Sequence, residues 1–198
     1  MSNVWVTSDW HINHRNILDY CHRPWKTLDE MHSGLIANYN KKVNPGDNVY
    51  FLGDIIFGKK KLLPDIMNEV FSQLNGQKFL IKGNHDYYCK EEWFSKHFVW
   101  IRDYYELRVL DAEAPNGKWQ KFIMCHYPIY SWNEMANGSI CLSGHAHGST
   151  DQTNLQTRRI DVGIDAMYSD HSPINVNTIL GIMKNRKSAI VDHHGMNL

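Results

Sequence analysis

Five strand-like runs of this chain stop at polar clusters of one chemical kind. Residues 3–8 end on Asp9 and His11, 48–52 on Asp54, and 78–82 on Asn84 and His85. Residues 119–125 end on His126, and 140–143 on His145 and His147. Any fold for this chain has to place all five endings. In open α/β sheets, ligands bind in the crevice outside the carboxyl ends of the strands, where loops bring residues distant in sequence to one point.

The intervening segments fit such a sheet. Leu28, Met31, Leu35, Tyr39 and Val43 recur at helical spacing, and Asn44-Pro45-Gly46-Asp47 ends that run. Leu63, Ile66, Met67, Val70, Phe71 and Leu74 mark a second amphipathic helix. Strand, helix, strand, helix, strand is the order of a βαβ core with crossover helices. The second half changes character, with strands expected at 104–110, 119–125, 140–143 and 158–162, a helix over 176–184 and a final strand at 188–191. With no repeat, low-complexity tract or linker, one α/β domain spanning 1–198 is expected.

Charge and cysteine usage narrow the partners. Lys plus Arg equals Asp plus Glu at 21 each. Coating duplex nucleic acid needs many uncompensated cations, so a long duplex partner is not expected. Met1-Ser2-Asn3 leads straight into the first strand and no apolar run is long enough for a bilayer, so neither a secretory leader nor a membrane contact is expected. Cys21, Cys89, Cys125 and Cys141 are scattered without a Cys-x-x-Cys pair. Reduced thiols in the cytoplasm, and no thiolate zinc site, are the expectation.

Singly, each polar ending is an ordinary turn signal, and a lone His126 suits a core as well as a metal. Together and in this order they read as a ligand set. Alternate residues in Gly144-His145-Ala146-His147 put both imidazoles on one side of an extended segment. Carboxylate oxygens and imidazole nitrogens without thiolate suit Mn, Fe, Zn, Co or Ni. Two ions about 3.5–4 Å apart need a group that bridges them. A carboxylate bridges and a neutral imidazole does not, and Asp54, lying between the other motifs in sequence, is the natural bridge. Two dications outweigh Asp9, Asp54 and a bridging hydroxide, so the site stays net positive and favours an anionic phosphate ester over a neutral peptide.

The series Asp9-x-His11, Gly53-Asp54, Gly83-Asn84-His85-Asp86, His126 and Gly144-His145-x-His147 resembles the calcineurin-like metallophosphoesterase superfamily. A narrower likeness, to small phosphoesterases of phages and bacteria, runs through residues 8–17, Arg23-Pro24-Trp25, Pro45-Gly46-Asp47 and Asp161-Val162-Gly163-Ile164-Asp165. The resemblance implies a metallophosphoesterase-type β-sandwich flanked by helices, four layers in αββα order. It implies Asp9, His11 and His147 as ligands of one divalent ion, Asn84, His126 and His145 as ligands of a second, and Asp54 as the bridge. Manganese comes first among the metals, with iron, zinc, cobalt, nickel or magnesium as alternatives. It further implies a metal-bound hydroxide that attacks phosphorus, His85 touching the phosphate and protonating the leaving oxygen, and Asp86 orienting His85. The host would be a bacterial cell or a phage-infected one.

The residues that would choose a substrate are less defined. His14, Arg15 and Asn16 follow the first metal motif closely; Arg15 either grips phosphate oxygens or is a solvated residue at a helix start. Asn84 and His85 join His14 and Arg15 as expected substrate contacts. Tyr127 and Trp132, or Tyr87 and Tyr88, stack on a ring or simply pack. His22, His32, His97 and His171 lack motif support. A phosphodiesterase acting on a small or nucleotide-like substrate is the leading expectation. A phosphomonoesterase or protein phosphatase, a nuclease, a silent binding protein and a single structural zinc site are the competitors, the last two predicting a broken or a closed ligand set.

Overall fold

The computed structural model describes residues 2–111 and 117–188. Its longest helix, α2 (Leu28–Lys42), shows how local sequence sets the frame. Thr27 and Glu30 form a capping box, Asp29 and Glu30 occupy the first turn, and Lys41 and Lys42 the last, matching the helix dipole at both ends. Met31, Leu35 and Tyr39 fall on one buried stripe. Helix α3 (Leu63–Phe71) starts with a proline and buries Leu63, Met67, Val70 and Phe71. These two helices link three parallel strands, β1 (Val4–Thr7), β2 (Asn48–Phe51) and β3 (Gln77–Ile81).

The first sheet has five strands. Strand β4 (Ile101–Arg102) extends it in parallel beyond β3, and β9 (Ile174–Asn175) closes the other edge antiparallel to β1. The second sheet runs β5 (Tyr105–Leu110), β6 (Trp119–Met124), β7 (Ile140–Ser143) and β8 (Arg159–Asp161); only the β5–β6 pair is antiparallel. Helix α6 (Val176–Met183) follows β9 directly. The single turns α1 (Ile17–Tyr20), α4 (Glu92–Ser95) and α5 (Asp151–Asn154) are too short to show a period in the sequence. The strand expected at 188–191 lies, apart from Ser188, outside the described residues.

Strand alternation sorts the apolar side chains into two cores. Val49, Phe51 and Leu80 face α2 and α3, whereas Val6, Tyr50, Leu52, Phe79 and Ile81 face Phe122, Met124, Ile140, Leu142 and Ile160 of the second sheet. This is the expected α/β sandwich flanked by helices. The outer face of the second sheet carries a smaller cluster, Ile123, Trp132, Met135 and Cys141, built on turns of 129–138. Register brings the strand ends level: Thr7 pairs with Phe51, Phe51 with Leu80, and Ser143 with Asp161. Just past β1, Trp10 is buried among Tyr39, Phe51 and Phe71, anchoring the loop that carries Asp9 and His11.

Two substitutions separate cap from core. Thr27→Ala removes one capping acceptor and should lower unfolding free energy by about 1 kcal/mol. Trp10→Ala should cost about 3–5 kcal/mol, the range for an aromatic removed from a core. Urea denaturation measures both, and an equal loss for the two would refute the anchoring role given to Trp10.

Candidate metal centre

The loops beyond β1 and β2 stay paired after the strands end. Asp9 N–H donates to Gly53 O at 3.0 Å, His11 N–H to Asp54 O at 3.0 Å, and Ile12 N–H to Ile55 O at 2.9 Å. Ile164 N–H donates to Ser8 O at 3.1 Å, and Ser8 bridges Gly163 in parallel. That contact joins the end of β1 to the segment after β8, so both sheets open onto one crevice. The chain there is tight. A Cβ on Gly53, whose φ is +100°, would meet Gly83 Cα at 2.6 Å, and one on Gly144 would meet Asp9 Oδ2 at 2.5 Å.

All seven expected ligands converge in this crevice. One ligating atom from each of Asp9, His11 and His147 lies within 4.8 Å of the others, and Asp54, His126 and His145 form a second such group. Asp54 stands between the groups: its Oδ2 is 3.6 Å from His11 Nε2 and 3.5 Å from His126 Nε2. Asn84 joins the second group, with its Oδ1 2.9 Å from His126 Nε2. Each carboxylate also fastens a neighbouring loop, Asp9 accepting from His145 N–H and Asp54 Oδ1 from His85 N–H at 2.8 Å.

The polar atoms suit divalent cations. Both ring nitrogens of His11 are buried without a hydrogen-bond partner, and burial pushes its imidazole down to about 3, leaving a neutral ring with a lone pair to give. His126 Nδ1–H donates to Leu52 O at 2.6 Å, which turns Nε2, the ring nitrogen left for a metal, toward Asn84 and Asp54. Burial pushes the Asp9 carboxyl up to about 7 against the pull of His147 and His126; a dication beside it reverses that shift. At Asp54 burial acts upward, but hydrogen bonding and charge from His126 and the His85 N–H outweigh it and hold the carboxyl down to about 2.

A second layer of residues positions the first. Arg23 is buried and grips Asp165 with two parallel bonds, Nε to Oδ1 at 2.9 Å and Nη2 to Oδ2 at 2.8 Å. It also donates to Asp9 O and Trp10 O, at 2.7 and 2.8 Å. Asp165 Oδ2 in turn accepts from His147 Nδ1–H at 2.7 Å, and Cys21 Sγ lies 3.3 Å from the same nitrogen. Burial acts upward on Asp165, yet the bonds from His147 and Arg23 hold it well below the usual carboxylate range. Asp161 holds the loop after His147 by accepting from Gly148 N–H at 2.9 Å. Sequence reasoning gave Asp165 and Asp161 no role, although two acids four residues apart at a strand end are themselves a signal.

Asp86 corrects an expectation. It does not orient His85; its two oxygens accept from the N–H groups of Asp54, Ile55 and Gly83 at 2.8–2.9 Å, tying the loops after β2 and β3 together. The His85 ring turns instead toward Asp54, with Nε2 4.0 Å from Oδ2. Trp132 is likewise away from the site, buried on the outer face of the second sheet with its Nε1–H on Ser139 O. Tyr127 stays exposed with its ring centroid 4.9 Å from that of His145. Tyr88 packs into the helix-side core near Trp93, while Tyr87 remains exposed beside His85.

His14 lies near the centre, its ring centroid 5.5 Å from that of His11. Arg15 is exposed at the rim and pairs with Asp19 at 3.5 Å. His32 Nε2 accepts from Asn13 N–H, and His171 packs on Trp25, both supporting structure. A cavity of about 580 Å³ lined by Arg108, Gln120, Lys121 and Glu134 holds none of the candidate ligands.

Known proteins share this frame. A family model for calcineurin-like phosphoesterases matches residues 2–197. An uncharacterized protein of Methanocaldococcus jannaschii is 30% identical over 189 residues, 94% of each chain. The gene 66 protein of Mycobacterium phage D29 is 29% identical over 185 residues, 85% of this chain and 90% of its own. A solved protein of unknown function from Aquifex aeolicus superposes with a TM-score of 0.68 at 20% identity, over 92% of this chain and all of its own.

Asp165→Asn preserves size but removes the charge that Arg23 and His147 share. The affinity of the Asp9–His11–His147 group for Mn²⁺ should fall about 10–100-fold, the usual effect of losing such an outer partner. Metal retained per chain during dialysis against graded chelator measures this, and unchanged retention would deny Asp165 a positioning role.

Proposed function

The chain belongs to the calcineurin-like phosphoesterase family, and from that premise we propose that it is a phosphodiesterase of small, nucleotide-like substrates using two divalent metal ions, manganese first. Two clefts flanking loop 83–87 carry the diester reading. One, of about 590 Å³, is lined by His14, Phe57, His85 and Tyr87; the other, of about 550 Å³, by Lys82, Asn84, Tyr87, His126 and Tyr127. His85 lines the first and the candidate ligands Asn84 and His126 line the second, so a phosphate held between them would border both clefts. A diester has an arm for each, whereas a monoester leaves one unused.

Asp9, His11 and His147 would hold one ion and Asn84, His126 and His145 the other, with Asp54 shared between them. When bound, such ions lower the pKa of water toward neutrality and offset charge on the phosphate oxygens. His85 is the group placed to hand a proton to the leaving oxygen: its side chain is 31% exposed at the mouth of the site. Its Nδ1 is buried and without a hydrogen-bond partner. Ser8 Oγ–H is occupied by Leu52 O at 2.9 Å, which argues against this hydroxyl as the nucleophile, and water takes that role in this reading. Arg15 supplies positive charge at the rim rather than a fixed grip. Balanced net charge argues for short substrates over long duplexes. Among the described residues no helix is long and apolar enough to cross a membrane.

Metal-stripped protein reconstituted with Mn²⁺ should cleave bis-p-nitrophenyl phosphate faster than p-nitrophenyl phosphate, with no turnover before reconstitution. Preference for the monoester would make the protein a phosphatase instead. Asp54→Asn should bind fewer than two ions per chain and lose most activity; full metal content with full activity would exclude Asp54 as the bridge. His85→Ala should slow esters with poor leaving groups by about 10²-fold or more and spare activated aryl esters. Equal losses for both would remove His85 as the acid.

A further inference from the structure

The two clefts differ in chemistry, and the one beside His85 is built from rings. The Phe57 ring lies 4.2 Å from that of His14, centroid to centroid, and 5.3 Å from that of His85. Tyr87 continues the series 6.2 Å from His85, and Tyr20 stands 6.3 Å from His14. These rings are not core: Phe57 is 37% exposed and Tyr87 74%, and Leu62 in the same cleft is 56% exposed. Large apolar groups left in water at the mouth of a polar centre mark a binding surface rather than packing.

Polar groups complete the cleft. Asn16 lines it and stands at the start of α1, yet its side chain caps nothing there. His14 Nδ1 is buried without a partner. Arg15 and Lys59 add positive charge at the edge. The volume, about 590 Å³, is that of a small-molecule site. Flat rings, a free amide and a cationic edge, continuous with a phosphate site, match a planar heterocycle carried on a phosphate ester. Asn is the side chain whose amide pairs with a base edge.

We propose that this cleft holds a nucleobase on one ester arm of the substrate, stacked against Phe57 and Tyr87. The proposal rests on the phosphodiesterase reading above and deepens it. The Tyr127 cleft, with Lys82, Lys90 and Asp103, is the more charged of the two and is left for the second arm.

Equilibrium binding to the Mn²⁺-loaded full chain tests it with four probes: inorganic phosphate, ribose 5-phosphate, adenosine 5′-monophosphate and butyl phosphate. Adenosine 5′-monophosphate should bind about ten-fold tighter than ribose 5-phosphate, as expected for one base stacked on an aromatic side chain. Phe57→Ala should shrink that preference to about two-fold. Tyr87→Ala, at a position exposed enough to leave folding intact, should shrink it in the same direction. Equal affinity for the two sugar phosphates, or a preference that survives both substitutions, would overturn the nucleobase while leaving the phosphoesterase reading in place. Tighter binding of butyl phosphate than of the nucleotide would assign the cleft to an alkyl arm. Failure of inorganic phosphate to bind in a metal-dependent way would remove the phosphoesterase reading, and this proposal with it.

Discussion

Asp9, His11, Asp54, His145 and His147 all occupy left-handed backbone, with φ between 47° and 67°. Residues with a Cβ avoid that region, and each one held there costs about 1–3 kcal/mol unless its surroundings over-determine it. Here the surroundings do. The Asp9 carboxylate fixes the His145 amide, Asp54 fixes that of His85, and Asp86 fixes three amides of the loops after β2 and β3. Asp9 and Asp54 therefore act twice, once as acceptors that force the loops into tight turns and once as groups facing the crevice. Neutralising one of them disturbs the backbone and the candidate metal centre together.

Those turns work only because of where the sheets meet. The first sheet has one face on α2 and α3 and the other on the second sheet, so its strands are apolar on both sides and its polar residues are left at the ends. The Ser8–Gly163 bridge then sets the end of β1 against the segment after β8. Trp10 shows how narrow the passage is. It separates two candidate ligands in sequence, and its side chain goes into the helix-side core while Asp9 and His11 gather with the other candidates. Arg23 holds the same loop from outside through the carbonyls of Asp9 and Trp10.

The convergence of the candidate ligands was legible because their residue types are expensive to bury and were repeated at the ends of apolar runs. The helices α2 and α3 were legible through period and caps. What stayed hidden depends on contacts without a local pattern. Arg23 and Asp165 are 142 residues apart, and nothing near either one announces the other. The neighbours His85 and Asp86 misled in the opposite way: adjacency suggested a pair, but the turn sends Asp86 inward to backbone amides and leaves His85 at the surface. Trp132 follows His126 by only six positions, yet the chain has by then crossed to the outer face of the second sheet. Single-turn helices and two-residue strands carry too few residues for any period to show.

The two ligand groups are not equivalent, and the difference bears on how a centre built from them would behave. Asp9 and His11 are buried, and His147 is braced by Asp165 and Arg23. The second group has an exposed His145 and the neutral Asn84, and it opens on the Tyr127 cleft. The second group also holds the buried Asp54 and His126, so the two differ in the exposure of His145 rather than in donor charge. Asp54 Oδ2 lies between the two groups, 3.6 Å from His11 Nε2 and 3.5 Å from His126 Nε2, so charge at one group is felt at the other.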